Sequence, residues 1–386
     1  MKSKNILLLI SHLGIGGTEI QTLNLAHALV VAGYKVTTLC LYRCIPQMVQ
    51  AFEKAGSRVI CISPEYNCYG KPILFHRGIN LIRFLYKVLK DTIKKEHFDI
   101  IHVQYMTPMA TAILVLRYLL NYRHIIATAH TNADIYSNRN LKLLRFIQRH
   151  CCIAFNCITQ AAETEMFGTS SLYSDNLKLK KRNHFTIYNA LPDYISIREA
   201  GRSRRNGKTI TIGVVSRLES IKGMDLVVPA FARVCSASDR VRLLVVGDGT
   251  LRQLMEKSAE ELGVQEKVEF VGRKGQDELE EYYDQMDILL MPSRSEGFGL
   301  TAIEGMARGV VPVVSNTGGL PEVVTPDTGL LHERESVDDL AVKILELVGD
   351  EERLCRLSNG SIERAKLFAA TTYDCLIASL YSKLSR

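Results

Sequence analysis

The stretch from residue 293 to residue 307 constrains the fold of this chain more than any other. It reads Ser-Arg-Ser-Glu-Gly-Phe-Gly-Leu-Thr-Ala-Ile-Glu-Gly-Met-Ala and follows an apolar run, residues 287–292, that ends in Pro292. The run predicts a buried strand, and the residues after it predict a helix that begins at about Leu300. Because the first amides of a helix have no partner within the helix, a strand, a glycine turn and a helix N-terminus together predict an anion site.

Two carboxylates flank this predicted anion site, Glu296 before the helix and Glu304 within it. Carboxylates repel an anion, so they suit neutral hydroxyl groups on either side of it. A phosphate with a polyol at each end describes a nucleotide sugar. The stretch therefore predicts a nucleotide-sugar site.

Strands and helices alternate along the whole chain, which has 386 residues, 47% of them hydrophobic. A chain of this length exceeds one comfortable core and predicts two domains of ordinary size. In each half the alternation is typical of a parallel, doubly wound sheet. We therefore expect an α/β fold with two Rossmann-like domains, joined by the polar, glycine-bounded linker at residues 201–209.

The first half opens with a strand–glycine loop–helix–strand unit that contains Gly16 and Gly17. It departs from the dinucleotide fingerprint, because Glu19 stands where the third glycine belongs and the second strand ends in Tyr42 with no acid for a ribose. A dehydrogenase is therefore disfavoured. The Gly-Gly turn still allows a ligand to approach the backbone, and a tight turn without a ligand is the alternative.

Two polar residues are predicted at the carboxyl ends of strands, where sheets of this kind bind ligands. His130 follows the predicted strand at residues 124–129, and Asn189 ends the predicted strand that starts at residue 185. A lone histidine in such a place is often structural. Both residues stay candidates for ligand contact.

Two segments of the first half, residues 71–97 and 141–149, are basic and amphipathic. The net charge is +12 over residues 1–200 and −5 over residues 201–386. Each segment alone is typical of a helix that packs on a core and keeps a solvated face. Together with the charge they favour contact with an anionic membrane surface. Nucleic acid is disfavoured as a partner, since no recognisable binding motif accompanies the charge.

In the second half, Arg217 and Lys222 follow a predicted strand at residues 210–215 and so lie in a loop at its carboxyl end. The fork of an arginine and the point charge of a lysine are the usual partners of a diphosphate. Surface charge without a ligand is the alternative. Asp225 is predicted to cap the helix that follows. The Gly-Lys-Thr at residues 207–209 is not a P-loop, because it leads into a strand.

The ten cysteines include no Cys-x-x-Cys pair, and the cluster at residues 150–157 lacks the spacing of a zinc site. For this cluster we expect buried thiols in a reducing compartment. The N-terminal apolar run is too short for a signal peptide, and no run approaches the length of about 18 residues that spans a bilayer. The predicted location is cytoplasmic.

Several short motifs in the second half agree in order and spacing with one known family. They are Gly213-Val-Val-Ser-Arg217 with Lys222-Gly223, Gly247-Asp-Gly249, Pro292-Ser293 with Glu296-Gly-Phe-Gly-Leu300, Glu304-Gly-Met-Ala307 and Gly318-Gly-Leu-Pro-Glu322. On these residues the chain resembles the retaining GT-B glycosyltransferases of glycosyltransferase family 4. The resemblance is specific over about residues 205–330, and it extends more weakly to Gly16-Gly17, His130 and Asn189.

The resemblance implies the GT-B fold, with two Rossmann-like domains that face a cleft. Residues 1–200 would form the acceptor-side domain, residues 201–370 the nucleotide-sugar domain, and the last helix, 371–386, would pack back on the first. The donor would be a nucleoside diphosphate sugar, most readily a UDP-sugar. The basic first half, in addition, suggests an acceptor at a membrane surface, a glycolipid, a lipid-linked saccharide or a surface polysaccharide, and a peripheral enzyme on the inner face of the membrane.

The resemblance also implies roles for individual residues. Arg217 and Lys222 would bind the diphosphate together with the amides of Gly299, Leu300 and Thr301. Glu304 would bind the ribose, and the donor sugar would be bound by Glu296 together with the backbone of Phe298 and Gly299. Gly272 and Arg273 would lie near the base, and Gly16 and Gly17 would approach the diphosphate. Asn189 would contact the donor, and His130 would contact the sugar near the reacting carbon.

The chain contains no Asp-x-Asp, so a metal-bound diphosphate has no obvious ligand pair. Arg217, Lys222 and the helix N-terminus would neutralise the leaving group instead, without a metal or other cofactor. Glu296 is a tempting covalent nucleophile, but the resemblance favours front-face attack in which Glu296 positions the sugar. Two alternatives remain open, a nucleotide-sugar epimerase of the same fold and a non-catalytic nucleotide-sugar-binding protein.

Overall fold

The computed structural model describes residues 4–62, 78–105, 109–133, 136–199 and 209–384. The predicted linker at residues 201–209 lies outside the described residues except for Thr209, and so does the start of the basic segment, residues 71–77.

Two parallel β-sheets form the framework of the chain. The first has seven strands in the order β3-β2-β1-β4-β5-β6-β7, and the second has six in the order β10-β9-β8-β11-β12-β13. The strands are β1 (Asn5–Ile10), β2 (Lys35–Cys40), β3 (Arg58–Cys61), β4 (Ile100–Tyr105), β5 (Ile125–Ala129), β6 (Ala154–Cys157), β7 (His184–Thr186), β8 (Ile210–Val215), β9 (Val241–Val246), β10 (Val268–Gly272), β11 (Ile288–Met291), β12 (Val311–Ser315) and β13 (Leu330–His332). In both sheets the strand order reverses beside the first strand, as in doubly wound folds.

Helices connect the strands and cover the sheets. They are α1 (Gly17–Val31), α2 (Pro46–Lys54), α3 (Ile79–Lys95), α4 (Met109–Leu114), α5 (Asn138–His150), α6 (Gln160–Phe167), α7 (Val227–Ala237), α8 (Arg252–Glu261), α9 (Leu279–Gln285), α10 (Leu300–Ala307), α11 (Leu320–Val323), α12 (Val337–Val348), α13 (Glu351–Ala365) and α14 (Ala370–Leu384). A π-helical turn, Val115–Leu119, continues α4.

The chain divides into two compact units, Met1–Ala190 with Ala370–Arg386, and Leu191–Ala369. Helix α14 therefore belongs to the unit of the first sheet. There the Tyr381 hydroxyl lies 2.6 Å from His102 Nδ1 on β4, and it is fully buried. At the start of the second unit, the Leu191 amide donates to the Phe368 carbonyl.

Continuous apolar strands are buried on both faces, as in parallel sheets covered by helices. Along β1 the side chains alternate between two cores: Leu7 and Leu9 pack with α3, α4 and α5, whereas Ile6, Leu8 and Ile10 pack with α1, α2 and α14. The second unit has one large core cluster around β8, β9 and α7. The sheets are thus rigid supports for the loops at their carboxyl edges.

The predicted strands and long helices are confirmed, with small shifts at their ends. The strand expected to end at Asn189 is shorter, since β7 ends at Thr186. Asp225 does not cap α7, because Met224–Leu226 form a 3-10 turn and the carboxylate is held by Arg294 at 2.7 and 2.8 Å. None of the helices in the described ranges is long and apolar enough to cross a membrane.

The cluster at residues 150–157 contains three buried thiols, as expected, whereas the cysteines elsewhere in the described residues are not all buried thiols. Cys44 and Cys61 form a disulfide with a Cα–Cα distance of 6.3 Å, and Cys375 is exposed. The disulfide forms because β2 pairs with β3 so that Cys40 lies beside Cys61, which brings the loop after β2 to the end of β3. Cys40, with the cysteines at 151, 152 and 157, is buried as a thiol.

Candidate functional site

The carboxyl edge of the second sheet collects most of the predicted site residues. Strands β8 and β11 are neighbours there, at the point where the strand order reverses. The loops that follow these two strands therefore start side by side, the arrangement in which doubly wound sheets bind ligands.

Lys222 and Glu296, one from each loop, form an ion pair at this edge. Lys222 Nζ lies 2.6 Å from Glu296 Oε2, and the two side chains are 23% and 14% exposed. Lys222 ends a 3-10 turn that is closed by Gly223, at φ +67°. A Cβ at Gly223 would lie 1.9 Å from the Pro292 carbonyl oxygen, so a glycine is needed for the two loops to approach each other.

Arg217 lies in the same loop as Lys222, two residues after the end of β8, and its side chain is exposed. The guanidinium is therefore accessible. Hydrogen bonds from Thr250, and then the charge of Arg217, lower the pKa of the Glu219 carboxyl in the same loop. An exposed arginine suits a ligand that brings its own anionic groups.

Helix α10 begins at Leu300, as predicted, and points its N-terminus to the same edge. Gly299 precedes it at φ +101°, and a Cβ there would lie 2.6 Å from Leu320 Cδ2. The amides of Leu300 and Thr301 stand in the first turn, where a helix offers donors to an anion. Phe298 differs, because its side chain is buried edge-on against Phe368 with the ring centroids 5.6 Å apart, so that only its backbone is available for a ligand.

Glu304 is 5% exposed inside α10 and is held by two tyrosines. The Tyr194 hydroxyl donates to Oε1 at 3.0 Å, and the Tyr283 hydroxyl donates to Oε2 at 2.6 Å. Burial raises the pKa of Glu304, and the two hydroxyl bonds oppose that rise. Neither tyrosine was identified from the sequence, because both are distant from Glu304 along the chain and belong to no motif.

Gly272 ends β10 and Arg273 follows it, and two strands, β9 and β8, lie between β10 and β11 in the sheet. Gly272 is buried at φ +80° and its carbonyl accepts from the Gly247 amide, whereas the Arg273 side chain is exposed. The end of β10 is thus bonded to the loop that follows β9.

In the first unit, His130 lies directly after β5, next to Gln104 at the end of β4. Nε2 of His130 lies 2.7 Å from Oε1 of Gln104, and because that oxygen only accepts, Nε2–H is the donor and Nδ1 stays an acceptor. Burial lowers the pKa of His130 to about 4, so the ring is neutral at pH 7. Gln104, which sets this tautomer, was missed from the sequence, although its place at a strand's carboxyl end was a usable signal.

Gly16, Gly17 and Asn189 are also in the first unit. Helix α1 begins at Gly17, and a Cβ on Gly16 would lie 2.7 Å from Glu19 Oε2. Gly16 itself has an extended backbone, φ −167°, and the Glu19 carboxylate ends a flexible side chain that can move, so neither feature requires a glycine here. Asn189 is 7% exposed, and the residue after it, Ala190, is held by both amide atoms of Gln21 at 2.7 and 2.8 Å.

Metal ligands do not gather at either sheet edge within the described parts of the chain. No group of three His, Cys, Asp or Glu side chains that could hold a metal ion occurs among those residues. Metal independence stays a prediction, and it rests on the cations and the helix N-terminus described above.

Two family models match consecutive parts of the chain. Residues 15–166 match the glycosyltransferase family 4 model, and residues 197–364 match the model of glycosyl transferases group 1. Between them the two matches include the first unit's glycine loop and the whole Lys222–Glu296 edge.

Individual proteins give the same result. An uncharacterised glycosyltransferase of Methanocaldococcus jannaschii is 28% identical over 313 residues, which are 80% of this chain and 82% of that protein. A GDP-mannose-dependent alpha-(1-6)-phosphatidylinositol monomannoside mannosyltransferase of Mycobacterium tuberculosis is 32% identical over 197 residues, 49% of this chain and 51% of that protein. Among solved structures, Anabaena Alr3699/HepE in complex with UDP and glucose superposes with a TM-score of 0.75 and 17% identity, covering 98% of this chain and 100% of that one.

These matches span both sheets, and the structural similarity extends over nearly the whole chain. The two Rossmann-like units are those of the GT-B fold, and the two relatives are named as a glycosyltransferase and a mannosyltransferase. The chain therefore belongs to glycosyltransferase family 4 and is a GT-B hexosyltransferase.

Proposed function

We propose that this enzyme is a retaining, metal-independent glycosyltransferase that moves a sugar from a nucleoside diphosphate sugar, a UDP-sugar, to a glycolipid, lipid-linked saccharide or surface-polysaccharide acceptor. The observation that supports it is the Lys222–Glu296 pair at 2.6 Å, placed beside the N-terminus of α10. A cation, helix amides and a carboxylate at one sheet edge suit a diphosphate joined to a sugar.

Two cations and the N-terminus of α10 bind the diphosphate of the donor. Lys222 and Arg217 supply two positive charges, and the amides of Leu300 and Thr301 supply donors aligned with the helix dipole. As the bond to the sugar breaks, negative charge grows on the departing diphosphate, and these groups stabilise it in place of a metal ion.

The two carboxylates, Glu304 and Glu296, accept hydrogen bonds from the hydroxyl groups on either side of the diphosphate. Glu304 has one lone pair on each oxygen engaged by a tyrosine, which leaves the other lone pairs for ribose hydroxyls. Glu296 binds hydroxyls of the donor sugar together with the Phe298-Gly299 backbone, while Gly272 and Arg273 lie near the base.

The transfer proceeds by front-face attack. The acceptor oxygen forms a bond to the anomeric carbon while the bond from that carbon to the diphosphate oxygen breaks, and the acceptor's proton passes to the departing diphosphate. Because the pKa of His130 is lowered to about 4, its neutral ring can contact the sugar by hydrogen bonds without adding positive charge near an oxocarbenium-like centre. Gly16, Gly17 and Asn189 are the remaining residues for which we propose contact with the donor.

The choice of nucleotide rests on analogy. The Anabaena structure holds UDP, whereas the mycobacterial relative is named for GDP-mannose. UDP is proposed here because the structural similarity extends over the whole chain, while the mycobacterial match covers about half of it.

An acceptor at a membrane surface fits the basic first unit. Helix α3 buries Leu85 and Leu89 and exposes Ile79 and Ile82, and its exposed cations are those at 83, 87, 94 and 95. A helix with apolar and basic side chains on its exposed face suits a peripheral position on anionic lipid, on the cytoplasmic side. The mycobacterial relative, by its name, acts on a phosphatidylinositol mannoside, which is a lipid of this kind.

A donor screen tests the proposed function. The purified enzyme is incubated with UDP- and GDP-sugars, with and without a lipid-linked saccharide, and nucleotide release is measured together with the anomeric configuration of the product by NMR. We expect acceptor-dependent release of UDP and a product with the donor's configuration. An inverted product would contradict retention, and conversion of the donor sugar without any transfer would favour the epimerase.

A further inference from the structure

Arg294 lies two residues before Glu296, in the loop after β11, and its guanidinium is shared between two carboxylates. Nη1 and Nη2 donate to the two oxygens of Asp225 at 2.7 and 2.8 Å. Nε and Nη2 donate to the two oxygens of Glu335 at 2.6 and 2.8 Å. Both pairs have the bidentate geometry that is strongest for an arginine.

The same residue is tied to the loop that contains Lys222. Its backbone amide donates to the Ile221 carbonyl at 2.9 Å, and Nη1 also donates to the Ser220 carbonyl. The segment from Ser220 to Asp225 is therefore held to Arg294 at its start, at its middle and at its end. Lys222 lies inside this segment, and Glu296 lies in the loop of Arg294 itself.

The contact between Glu335 and Arg294 is made although the Glu335 backbone has an unfavourable conformation. Glu335 has φ +65°, a left-handed conformation that favours glycine, and it is one of two such non-glycine residues among those the structure describes. A glycine would suit the backbone better but could not bind Arg294. The carboxylate at this position is explained by its two contacts to the guanidinium.

The positive charge of Arg294 also affects Lys222, because it neutralises Asp225 and Glu335. Asp225 is three residues from Lys222 and is an anion whose pKa is lowered, chiefly by its bond to Arg294. Without the guanidinium, Asp225 and Glu335 would be left uncompensated and would compete with a phosphate for the Lys222 ammonium. Arg294 thus fixes the position of the loop and engages two carboxylates, while Glu296 is paired with Lys222.

We propose that Arg294 is a positioning residue that acts through Lys222 to set the affinity for the donor diphosphate, with Asp225 and Glu335 as its anchors. This inference rests on the proposed function, in which Lys222 binds the diphosphate. It assigns a role to an arginine that itself faces carboxylates and not the ligand.

The test compares Arg294→Ala and Arg294→Lys with the wild type, using UDP as the probe in calorimetry and a donor titration for kcat and KM. Loss of bonds between charged groups predicts a Kd for UDP raised by about tenfold or more in Arg294→Ala. Arg294→Lys, which keeps the charge without the planar fork, should give an intermediate Kd. The substitution should raise KM more than it lowers kcat, because the diphosphate of the donor contacts Lys222 again once the donor is bound.

A matched control separates this role from a general loss of stability. Arg353 forms an ion pair with Glu346 between α12 and α13, at a similar exposure of 32% against 22% for Arg294. Arg353→Ala and Arg353→Lys should lower Tm without changing the Kd for UDP. If the Arg294 variants lower Tm but leave the Kd for UDP and KM within about twofold of wild type, the inference is overturned.

A double-mutant cycle asks whether Arg294 acts through Lys222. In a Lys222→Ala background, Arg294→Ala should have little further effect on UDP binding, because the lysine it positions is gone. Equal effects in both backgrounds would overturn the inference while leaving the proposed function intact. A wild-type enzyme that binds neither UDP nor GDP would contradict the proposed function itself. If Arg294→Ala does not fold, Arg294→Lys and Glu335→Gln give the same comparison.

Discussion

Lys222 and Glu296 form an ion pair in which Nζ and Oε2 lie 2.6 Å apart. In the proposed function the lysine binds the diphosphate and the glutamate binds the donor sugar. The two residues of this ion pair would then contact two neighbouring parts of one ligand. A nucleotide without a sugar must then compete with Glu296 for the lysine. This competition can be measured.

Glu296→Gln should bind free UDP a few-fold more tightly than the wild type, because the amide no longer holds Lys222 and half-buried ion pairs are worth about 1 kcal/mol or less. Transfer should nevertheless fall, since the sugar loses a charged acceptor for its hydroxyls. Calorimetry with UDP and initial rates with the full donor measure the two effects. Glu346→Gln, which breaks the comparable Lys343–Glu346 pair at 2.9 Å, is the control and should change neither. A variant with full transfer rate, and a glycosyl–enzyme adduct on another residue, would contradict the assigned role of Glu296.

Lys222→Ala and Arg217→Ala should each lower kcat/KM by orders of magnitude, because each removes a charge that stabilises the departing diphosphate. A chelator should have no effect on the wild type. Rates are measured with and without EDTA, and with added Mg²⁺ as the control. Loss of activity in the chelator would contradict metal independence.

Tyr283→Phe should destabilise the fold more than Tyr194→Phe does. Tyr283 is fully buried and bonds Glu304 Oε2 at 2.6 Å, so its loss leaves a buried carboxylate with one donor fewer, at a cost of about 1–3 kcal/mol in the free energy of unfolding. Tyr194 is only partly buried and bonds Oε1 at 3.0 Å, so Tyr194→Phe should instead change the KM for the donor through the ribose contact. Urea titrations and donor titrations of both variants test this. A larger stability loss in Tyr194→Phe would contradict the prediction.

Much of the fold follows from the sequence alone. Apolar runs of strand length alternate with amphipathic segments, and this pattern predicts parallel, doubly wound sheets but not the order of the strands within them. The approach of Lys222 to Glu296 could also be anticipated, because both residues follow strands whose carboxyl ends share an edge. Local patterns of this kind are visible in a single stretch of chain.

The remaining contacts depend on residues that are distant in sequence and have several partners to choose from. Asp225 was expected to cap a helix, yet it binds Arg294, because a guanidinium is a stronger partner than a backbone amide. The Tyr194–Glu304 bond joins residues 110 positions apart. The Cys44–Cys61 disulfide depends on the register of β2 and β3, which no spacing of cysteines reveals.

Stability should fall as the pH is lowered from about 6.5 towards 4, and His102 is a main cause. It is 2% exposed and its ring bonds Tyr381 and Thr128, and burial lowers its pKa to about 3. Since the unfolded chain takes up a proton near pH 6.5 and the folded chain does not, the unfolded state binds more protons in this window. Each unit of pH then costs about 1.4 kcal/mol from this residue. Urea unfolding of wild type and His102→Asn at pH 7, 6 and 5 should give a shallower pH dependence in the variant. Equal slopes would contradict the assignment.

Binding to anionic vesicles should depend on the basic face of α3. Sedimentation with vesicles of anionic and of neutral lipid is expected to show binding to the anionic lipid only, weakening as salt screens the charges. Reversing two exposed charges, Lys87→Glu with Lys94→Glu, should abolish it, because each cation near an anionic surface contributes about 1 kcal/mol. The control reverses Arg233 and Lys257, which lie on α7 and α8 of the other unit and are 50% and 75% exposed. Equal, negligible binding to both lipids would remove the membrane from the proposal and leave a dissolved saccharide as the acceptor, because the donor contacts do not depend on that surface.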